Sequence, residues 1–316
     1  MTEPAISVAG LRKNFGSIVA LDGIDFEVPP GTVFGLLGPN GAGKTTAVRI
    51  LTTILNPDGG TAKVLGRDVT KDQNFVRCSI GLAGQFAAVD ENLTGSENLR
   101  LIGRLTHMPR DLIKARVDEL LERFDLTEAA SRPSKTYSGG MKRRLDVAAA
   151  LVHRPPVLFL DEPTTGLDPA GRADVWEMVE ELVTDGTTVL LTTQYLEEAD
   201  RLAEQLAVVD HGKVIASGSP AKLKASIGNT VIDLGFSSKA AAKRAATALA
   251  KVAKPQLDTT VVEITTKDGA RLLPDALRVL NTARIKPTTI NLREPSLDDV
   301  FLALTGHKAE EEVSAT

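Results

Sequence analysis

Gly38-Pro39-Asn40-Gly41-Ala42-Gly43-Lys44-Thr45-Thr46 fits the pattern G-x-x-x-x-G-K-[ST] at every specified position. A polyphosphate must be approached closely by backbone N–H groups, and Gly38, Gly41 and Gly43 allow backbone shapes and an approach that a Cβ would obstruct. The flanks agree. Thr32 to Leu37 is an apolar run of strand length, and Thr46 to Leu55 reads as a helix whose N-terminus faces the phosphates. In that setting Lys44 places an ammonium on the β- and γ-phosphates, and the Thr45 hydroxyl is a Mg²⁺ ligand.

The 316 residues are long enough for two domains with a substantial core, and the composition is that of an ordinary globular protein. A net charge of −4 gives no electrostatic footprint for nucleic acid. The single cysteine, Cys78, rules out an intramolecular disulfide and reads as a small half-buried hydrophobe. Charges at Glu3, Arg12, Lys13, Asp22, Asp25 and Glu27 interrupt any signal-peptide core, and no later run approaches the ~18 apolar residues of a membrane span. Any membrane role is therefore expected to come through a partner.

Along the chain, Ile6-Ser7-Val8 and Ile24 to Val28 alternate as antiparallel strands ahead of the glycine-rich loop. Phe15 lies between them, either as a core aromatic or as a ring on which an adenine stacks. Thr61 to Leu65 reads as a further strand. Ser79 to Ala83 reads as a buried one that leads to Gln85, whose amide can face a metal or a water. Residues 94–152 change to helical spacing, an insertion between strands. Near its end Ser138-Gly139-Gly140 opens a helix and offers either an ordinary N-cap or a second anion site. Pro156 to Leu160 is an apolar strand ending in Asp161-Glu162. Successive strand residues face opposite ways, so the two carboxylates should have different jobs, Asp161 toward Mg²⁺ and Glu162 toward the attacking water. Asp168 closes a turn, and a strand over Thr187 to Thr193 ends at Gln194. A hairpin follows over Leu206 to Ala216.

Residues 1–226 resemble the ATP-binding subunit of an ABC transporter, on the order of these motifs: the phosphate loop, Gln85 as the Q-loop glutamine, Ser138-Gly139-Gly140 as the signature, Asp161-Glu162 as Walker B, and Gly166-Leu167-Asp168 as the D-loop. The resemblance implies an α/β fold: a P-loop ABC-ATPase domain with a mixed sheet core, an antiparallel β subdomain and the helical insertion. It implies that ATP and Mg²⁺ are bound with Gly38 to Thr46, Thr45, Gln85 and Asp161, and that two subunits pair head to tail. Ser138, Gly139 and Gly140 of one subunit then cover the γ-phosphate held by Lys44 of the other, with Asp168 at the junction and Phe15 at the adenine. Two departures stand out: Tyr137 and Met141 replace the signature's usual Leu and Gln, and Gln194 replaces the switch histidine. Glutamine can donate to a phosphate but cannot carry charge or relay a proton. Glu162, Gln194 and Gln85 are the residues implied at the hydrolysed bond.

The same departures, with Thr192 to Asp200 and Arg293-Glu294-Pro295-Ser296-Leu297-Asp298-Asp299-Val300-Phe301, are similar to the daunorubicin/doxorubicin-resistance ATPases of actinobacteria. That implies export of an anthracycline-type or other hydrophobic compound through a separate integral-membrane permease, with the ATPase homodimer peripheral on the cytoplasmic face of the plasma membrane. Related ATPases serve lipid or polysaccharide exporters, and Gln194 also makes a nucleotide-gated regulator with little turnover conceivable. An ABC ATPase acting on DNA or the ribosome would carry a long coiled-coil insertion or two cassettes, and neither is visible. Residues 227–306 alternate strand- and helix-like segments, which suggests a small α/β accessory domain for dimer stability or permease contact. Residues 307–316 read as a disordered tail.

Overall fold

Strands β1 (Ile6–Phe15) and β2 (Ile18–Val28) form an antiparallel pair whose Ile6, Val8, Leu11, Ile24, Phe26 and Val28 are buried. They run longer than the sequence spacing suggests, because register shifts between Val8 and Leu11 and again near Asn14 let pairing continue past Gly10. This computed structural model describes residues 3–84, 89–228 and 230–305. Gln85 and the 307–316 segment lie outside the described residues.

The chain then enters β3 (Val33–Leu37), all of it buried, and α1 (Lys44–Leu51). The helix starts at Lys44 rather than Thr46, so the lysine belongs to its first turn. It ends before Thr53, whose φ of 62° is outside the helical region. Strands β4 (Gly59–Val64) and β5 (Arg67–Asp68) complete a first sheet in the order β2-β1-β4-β5, and α2 (Gln73–Ser79) leads into β6 (Ile80–Ala83). The helical segment follows as α3 (Gly95–Leu105), α4 (Arg110–Arg123) and α5 (Gly139–Ala150). A capping box between Thr94 and Glu97 starts α3. Then come β7 (Val157–Asp161), α6 (Pro169–Thr184), β8 (Thr188–Thr193), α7 (Leu196–Leu202), β9 (Gln205–Asp210) and β10 (Lys213–Gly218).

A six-stranded sheet in the order β10-β9-β3-β8-β7-β6 carries this unit, with β9, β3, β8, β7 and β6 parallel to one another. Both faces are covered. Val157 and Phe159 of β7 enter the core shared with α1 and the first sheet, while Leu158 and Leu160 enter the core shared with α5 and α6. That burial on two sides explains why β3, β7 and β8 read as continuous apolar runs.

Residues Met1–Ser217 and Gly218–Thr316 form two compact units. The division precedes the 226/227 boundary read from composition because α8 (Pro220–Ile227) packs on α11 (Leu297–Thr305), within the second unit. Its other elements are β11 (Thr230–Gly235), α9 (Lys239–Leu249), β12 (Gln256–Asp258), β13 (Val261–Thr266), α10 (Gly269–Thr282) and β14 (Thr289–Arg293). Its antiparallel sheet runs β12-β13-β11-β14, with Ile232, Leu234, Val262 and Ile264 packed under the alanine-rich α9 and α10. Arg293 is a clip. It bonds Asp233 of β11 at 3.0 Å and Asp299 of α11 at 2.6 Å, and Asp299 in turn accepts from the Ser296 N–H and hydroxyl.

Candidate functional site

Parallel strands end on the same edge, and there the segments after β3, β7 and β8 converge. The register aligns Asp161 with Thr192, so two polar side chains meet at the end of an apolar sheet. Thr192 donates its hydroxyl to Asp161 Oδ1 at 2.6 Å, and the Thr45 hydroxyl reaches the same oxygen at 3.1 Å. Both threonine hydroxyls and the Asp161 carboxylate offer hard oxygen donors, the set that suits Mg²⁺ when phosphate oxygens and waters complete the shell. Among the described residues no group of three or more His, Cys, Asp or Glu side chains could hold a metal unaided.

The loop itself is held tightly. The Gly38 N–H donates to Thr193 O at 3.2 Å, and Gly43 sits at φ 108°. A Cβ on Gly43 would lie 2.4 Å from the Ala20 carbonyl oxygen and 2.8 Å from Leu21 Cδ2, so glycine is needed there for both shape and space. No side chain caps α1, which leaves the N–H groups of Lys44, Thr45 and Thr46 at the positive end of the helix for an anion. Lys44 is buried and donates to Gly38 O at 2.7 Å and Pro39 O at 3.1 Å, with Glu162 Oε1 at 3.3 Å. Burial holds its ammonium below the usual lysine range, against the opposing pull of Glu162 and Asp161.

Glu162 corrects the alternation argument. The strand stops at Asp161, and Glu162 adopts φ 51°, the left-handed region that a side-chain-bearing residue seldom occupies. Its N–H donates to Thr192 O at 3.1 Å and lies 3.0 Å from Thr192 Oγ1. The turn brings both carboxylates to the phosphate loop, Asp161 onto Thr45 and Glu162 onto Lys44, instead of to opposite sides of a strand.

Ser138 caps α5, accepting from the Met141 N–H at 3.3 Å. A Cβ on Gly140 would meet nothing within 4 Å, and one on Gly139 only Leu167 Cδ2 at 3.9 Å, so packing inside this chain requires neither glycine. Gly139, Glu162, Pro163, Gly166 and Leu167 line one cleft of about 400 Å³. Tyr137, just before that cap, is buried: its hydroxyl donates to Ala129 O at 2.7 Å and lies against Gly95. Asp168 caps α6 through a 3.0 Å bond from the Gly171 N–H, Gln194 is half-buried just past β8, and Phe15 is exposed at the end of β1 with Lys13 Nζ 5.6 Å from its ring centre.

Sequence reasoning missed a set of buried polar residues behind this edge. Thr192 is one, and its signal was a polar residue ending the run Val189-Leu190-Leu191. Arg143 and Asp146, one helical turn apart on α5, pair at 3.2 Å, and Arg143 also donates to Gly84 O at 2.9 Å. Burial lowers the Arg143 pKa against the attraction of Asp146, Glu198 and Asp161. Glu198 of α7 is fully buried and accepts from Trp176 Nε1 at 3.2 Å, and burial raises its carboxyl pKa. A charge pair inside an alanine-rich helix was the available clue to Arg143 and Asp146.

Residues 21–165 match the ABC transporter family, and residues 218–305 match the C-terminal domain of DrrA1-3-like ATP-binding proteins. The chain is 51% identical over 310 residues to the daunorubicin resistance ATP-binding protein DrrA2 of Streptomyces coeruleorubidus, covering 97% of this chain and 96% of that protein. It is 40% identical over 307 residues to the Nod factor export ATP-binding protein I of Ralstonia nicotianae, covering 96% and 95%. Among solved structures it is similar to cbiO1 of Clostridium perfringens, part of the ABC transporter complex cbiONQ, with a TM-score of 0.65, 28% identity, and coverage of 70% of this chain and 91% of that one. The Thr45–Asp161 and Lys44–Glu162 pairs at an uncapped helix start and a relationship that runs through both units lead to the same place: the chain belongs to the ATP-binding, ATP-hydrolysing proteins of the ABC transporter family, in the group of the daunorubicin/doxorubicin-resistance ATPases.

Proposed function

We propose that this ATPase works as a homodimer closed around two MgATP molecules and energises export of an anthracycline-type or similar hydrophobic compound through a separate integral-membrane permease. It would sit peripherally on the cytoplasmic face of the plasma membrane. One observation carries the catalytic part: Thr45 with Asp161, and Lys44 with Glu162, form two adjacent pairs at one sheet edge. Gly38 to Thr46 wrap the phosphates with backbone N–H groups, Pro39, Asn40, Gly41 and Ala42 forming the loop. Lys44 turns from Glu162 and the loop carbonyls to the phosphate oxygens. Thr45 and Asp161 hold Mg²⁺, joined by Gln85, which is carried over from the family resemblance. Bound there, Mg²⁺ supplies neutralisation of the charge spread over the transferred phosphoryl group.

Released from Lys44, the Glu162 carboxylate accepts a proton from the attacking water as general base. Gln194 donates its NH₂ to the γ-phosphate, an orienting contact without proton relay. Phe15, exposed beside a lysine, gives the adenine a face to stack on.

The open space around Gly139 and Gly140 supports the dimer, because a second copy can bring its γ-phosphate to the backbone of Ser138, Gly139 and Gly140 at the start of α5. Asp168, next to that surface, keeps its turn in shape. The drug assignment rests on the name of the 51% identical relative. A second reading is export of a lipid or polysaccharide, since a 40% identical relative is named for export of a different compound, Nod factor.

Sedimentation of Glu162→Gln with MgATP tests the dimer. A MgATP-dependent dimer is expected, lost in Glu162→Gln with Gly140→Val although the latter leaves thermal stability unchanged. A monomer at saturating MgATP would contradict the pairing.

A further inference from the structure

Helices α6 and α7 are fastened together by a ladder of side chains that begins beside the site. The Arg172 guanidinium stands 4.3 Å from the Tyr195 ring centre, Trp176 donates from Nε1 to Glu198 Oε1 at 3.2 Å, and Arg201 bonds Glu180 at 3.1 Å while lying 5.0 Å from the Trp176 ring centre. Residues 172, 176 and 180 share one face of α6, and they meet residues 195, 198 and 201, spaced by three along α7. The outer pair, Arg201 with Glu180, is exposed and contributes little. The middle contact is of another kind, because Glu198 and the neighbouring Thr164 lie inside the protein, 0% and 1% exposed.

A carboxyl buried so completely needs hydrogen-bond partners. The hydroxyls of Thr193 and Thr164, with Trp176 and Arg143, stand near enough to oppose the burial that raises its pKa. Among the described residues, however, neither Glu198 Oε2 nor Thr164 Oγ1 meets a partner in hydrogen-bond geometry. A buried donor without an acceptor thus stands beside a carboxyl with an oxygen to spare. Thr193 Oγ1 accepts from the Tyr195 N–H at 2.9 Å, which leaves its own proton for that carboxyl or, at 3.5 Å, for the Tyr195 carbonyl. Both threonines sit next to groups of the hydrolytic site. Thr193 precedes Gln194, and Thr164 follows Glu162 by two residues in a turn closed by the Leu167 N–H on Thr164 O at 3.1 Å. Glu162 itself is held at φ 51°, a conformation that persists only where its surroundings fix it.

We propose that Glu198 is a positioning residue for ATP hydrolysis: its carboxyl, braced by Trp176, takes the Thr164 and Thr193 hydroxyls during turnover and so fixes where Glu162 and Gln194 stand relative to each other. The inference rests on the roles proposed above for those two residues. Glu198 touches no reacting atom and acts only through its neighbours. The Arg172 contact with Tyr195 steadies the other side of Gln194 from the same face of α6.

The test is kcat and KM for MgATP of Thr164→Val, Glu198→Gln and Glu198→Ala with the permease in membranes, beside wild type and Glu162→Gln, together with thermal unfolding of each purified chain. Thr164→Val removes a buried hydroxyl that has no hydrogen-bond partner among the described residues, so it should unfold no earlier than wild type. A merely structural part for the hydroxyl would then leave activity whole. The expected result is a loss of about tenfold in kcat with KM unchanged. Glu198→Gln keeps an oxygen for Trp176 and offers N–H groups to the threonine oxygens, so its kcat should stay within about threefold of wild type. Glu198→Ala should lose about tenfold or more, again in kcat. With Glu162→Gln inactive, a wild-type kcat in Thr164→Val, a loss confined to KM, or a Glu198→Gln as slow as Glu198→Ala would each overturn the proposal alone. Undiminished turnover by Glu162→Gln would remove the general base first, and this inference with it.

Discussion

Glu162 shows how much one backbone angle decides. A left-handed conformation costs about 1–3 kcal/mol, and here it is held by the two atoms of Thr192 that face the Glu162 N–H. Nothing in Leu160-Asp161-Glu162-Pro163 announces a positive φ. The alternation rule therefore gives the two carboxylates different jobs but misses the turn that places both beside the phosphate loop. The phosphate loop was legible residue by residue because its chemistry restricts both side chain and backbone at fixed spacing. Gly43 carries that restriction most sharply. Gly43→Ala must place a Cβ 2.4 Å from the Ala20 oxygen at φ 108°, so chemical denaturation should show a loss of about 2–4 kcal/mol. Equilibrium binding of a fluorescent ATP analogue should weaken with it.

Helix and strand ends hold the next layer of the site. Asp168 begins α6 as an N-cap, so Asp168→Ala should cost about 1 kcal/mol of stability, while Asp168→Asn, which keeps an acceptor oxygen, should stay within a few tenths. Loss of MgATP-dependent pairing in the asparagine variant, at full stability, would separate a contact role from the cap. At the far end of α5, Arg116 donates to the carbonyls of Leu151 and Val152, and His153 donates from Nε2 to the Ile80 carbonyl at 3.0 Å. A carbonyl only accepts, so the neutral ring carries its proton on Nε2, and Nδ1 is buried with no partner among the described residues. Burial, and Arg116 after it, lower the His153 pKa below 6.5. In the window just below pH 6.5 the unfolded chain binds the extra proton and the folded chain does not, so stability falls as the pH drops through it. Unfolding free energies of wild type and His153→Gln between pH 5 and 7.5 should converge toward the acid end. A parallel offset would contradict the assignment. The elements themselves were legible wherever periodicity was strong, as in β3, β7 and α9. Lengths were not, because bulges extend β1 and β2 and because α8 takes its domain from a partner helix seventy residues on. Arg143, Asp146 and Glu198 stayed hidden for a similar reason: burial of a charge is a tertiary fact that a helical pattern alone does not reveal.

At the scale of the whole molecule, the first unit contains every residue proposed to touch nucleotide, and the second, built around the Arg293 clip, contains none of them. The Arg293-to-Phe301 stretch that linked the chain to its group is therefore a structural joint between β14, β11 and α11, not a catalytic motif. In the proposed function the first unit takes anions at two helix starts, those of α1 and α5, and at the second of these a Cβ on Gly140 would meet nothing within 4 Å. The proposed homodimer would reconcile two such sites per chain with one nucleotide per phosphate loop. Glu162 is proposed to activate water in a MgATP-hydrolysing enzyme that tolerates Gln194 at the switch. Steady-state phosphate release from MgATP decides it, with wild type, Glu162→Gln and Gln194→His measured side by side with the permease in membranes. Wild type is expected to turn over, Glu162→Gln to lose about a hundredfold or more with MgATP binding intact, and Gln194→His to differ by no more than a few-fold. Wild-type binding without turnover, with hydrolysis appearing only in Gln194→His, or undiminished turnover by Glu162→Gln, would contradict it.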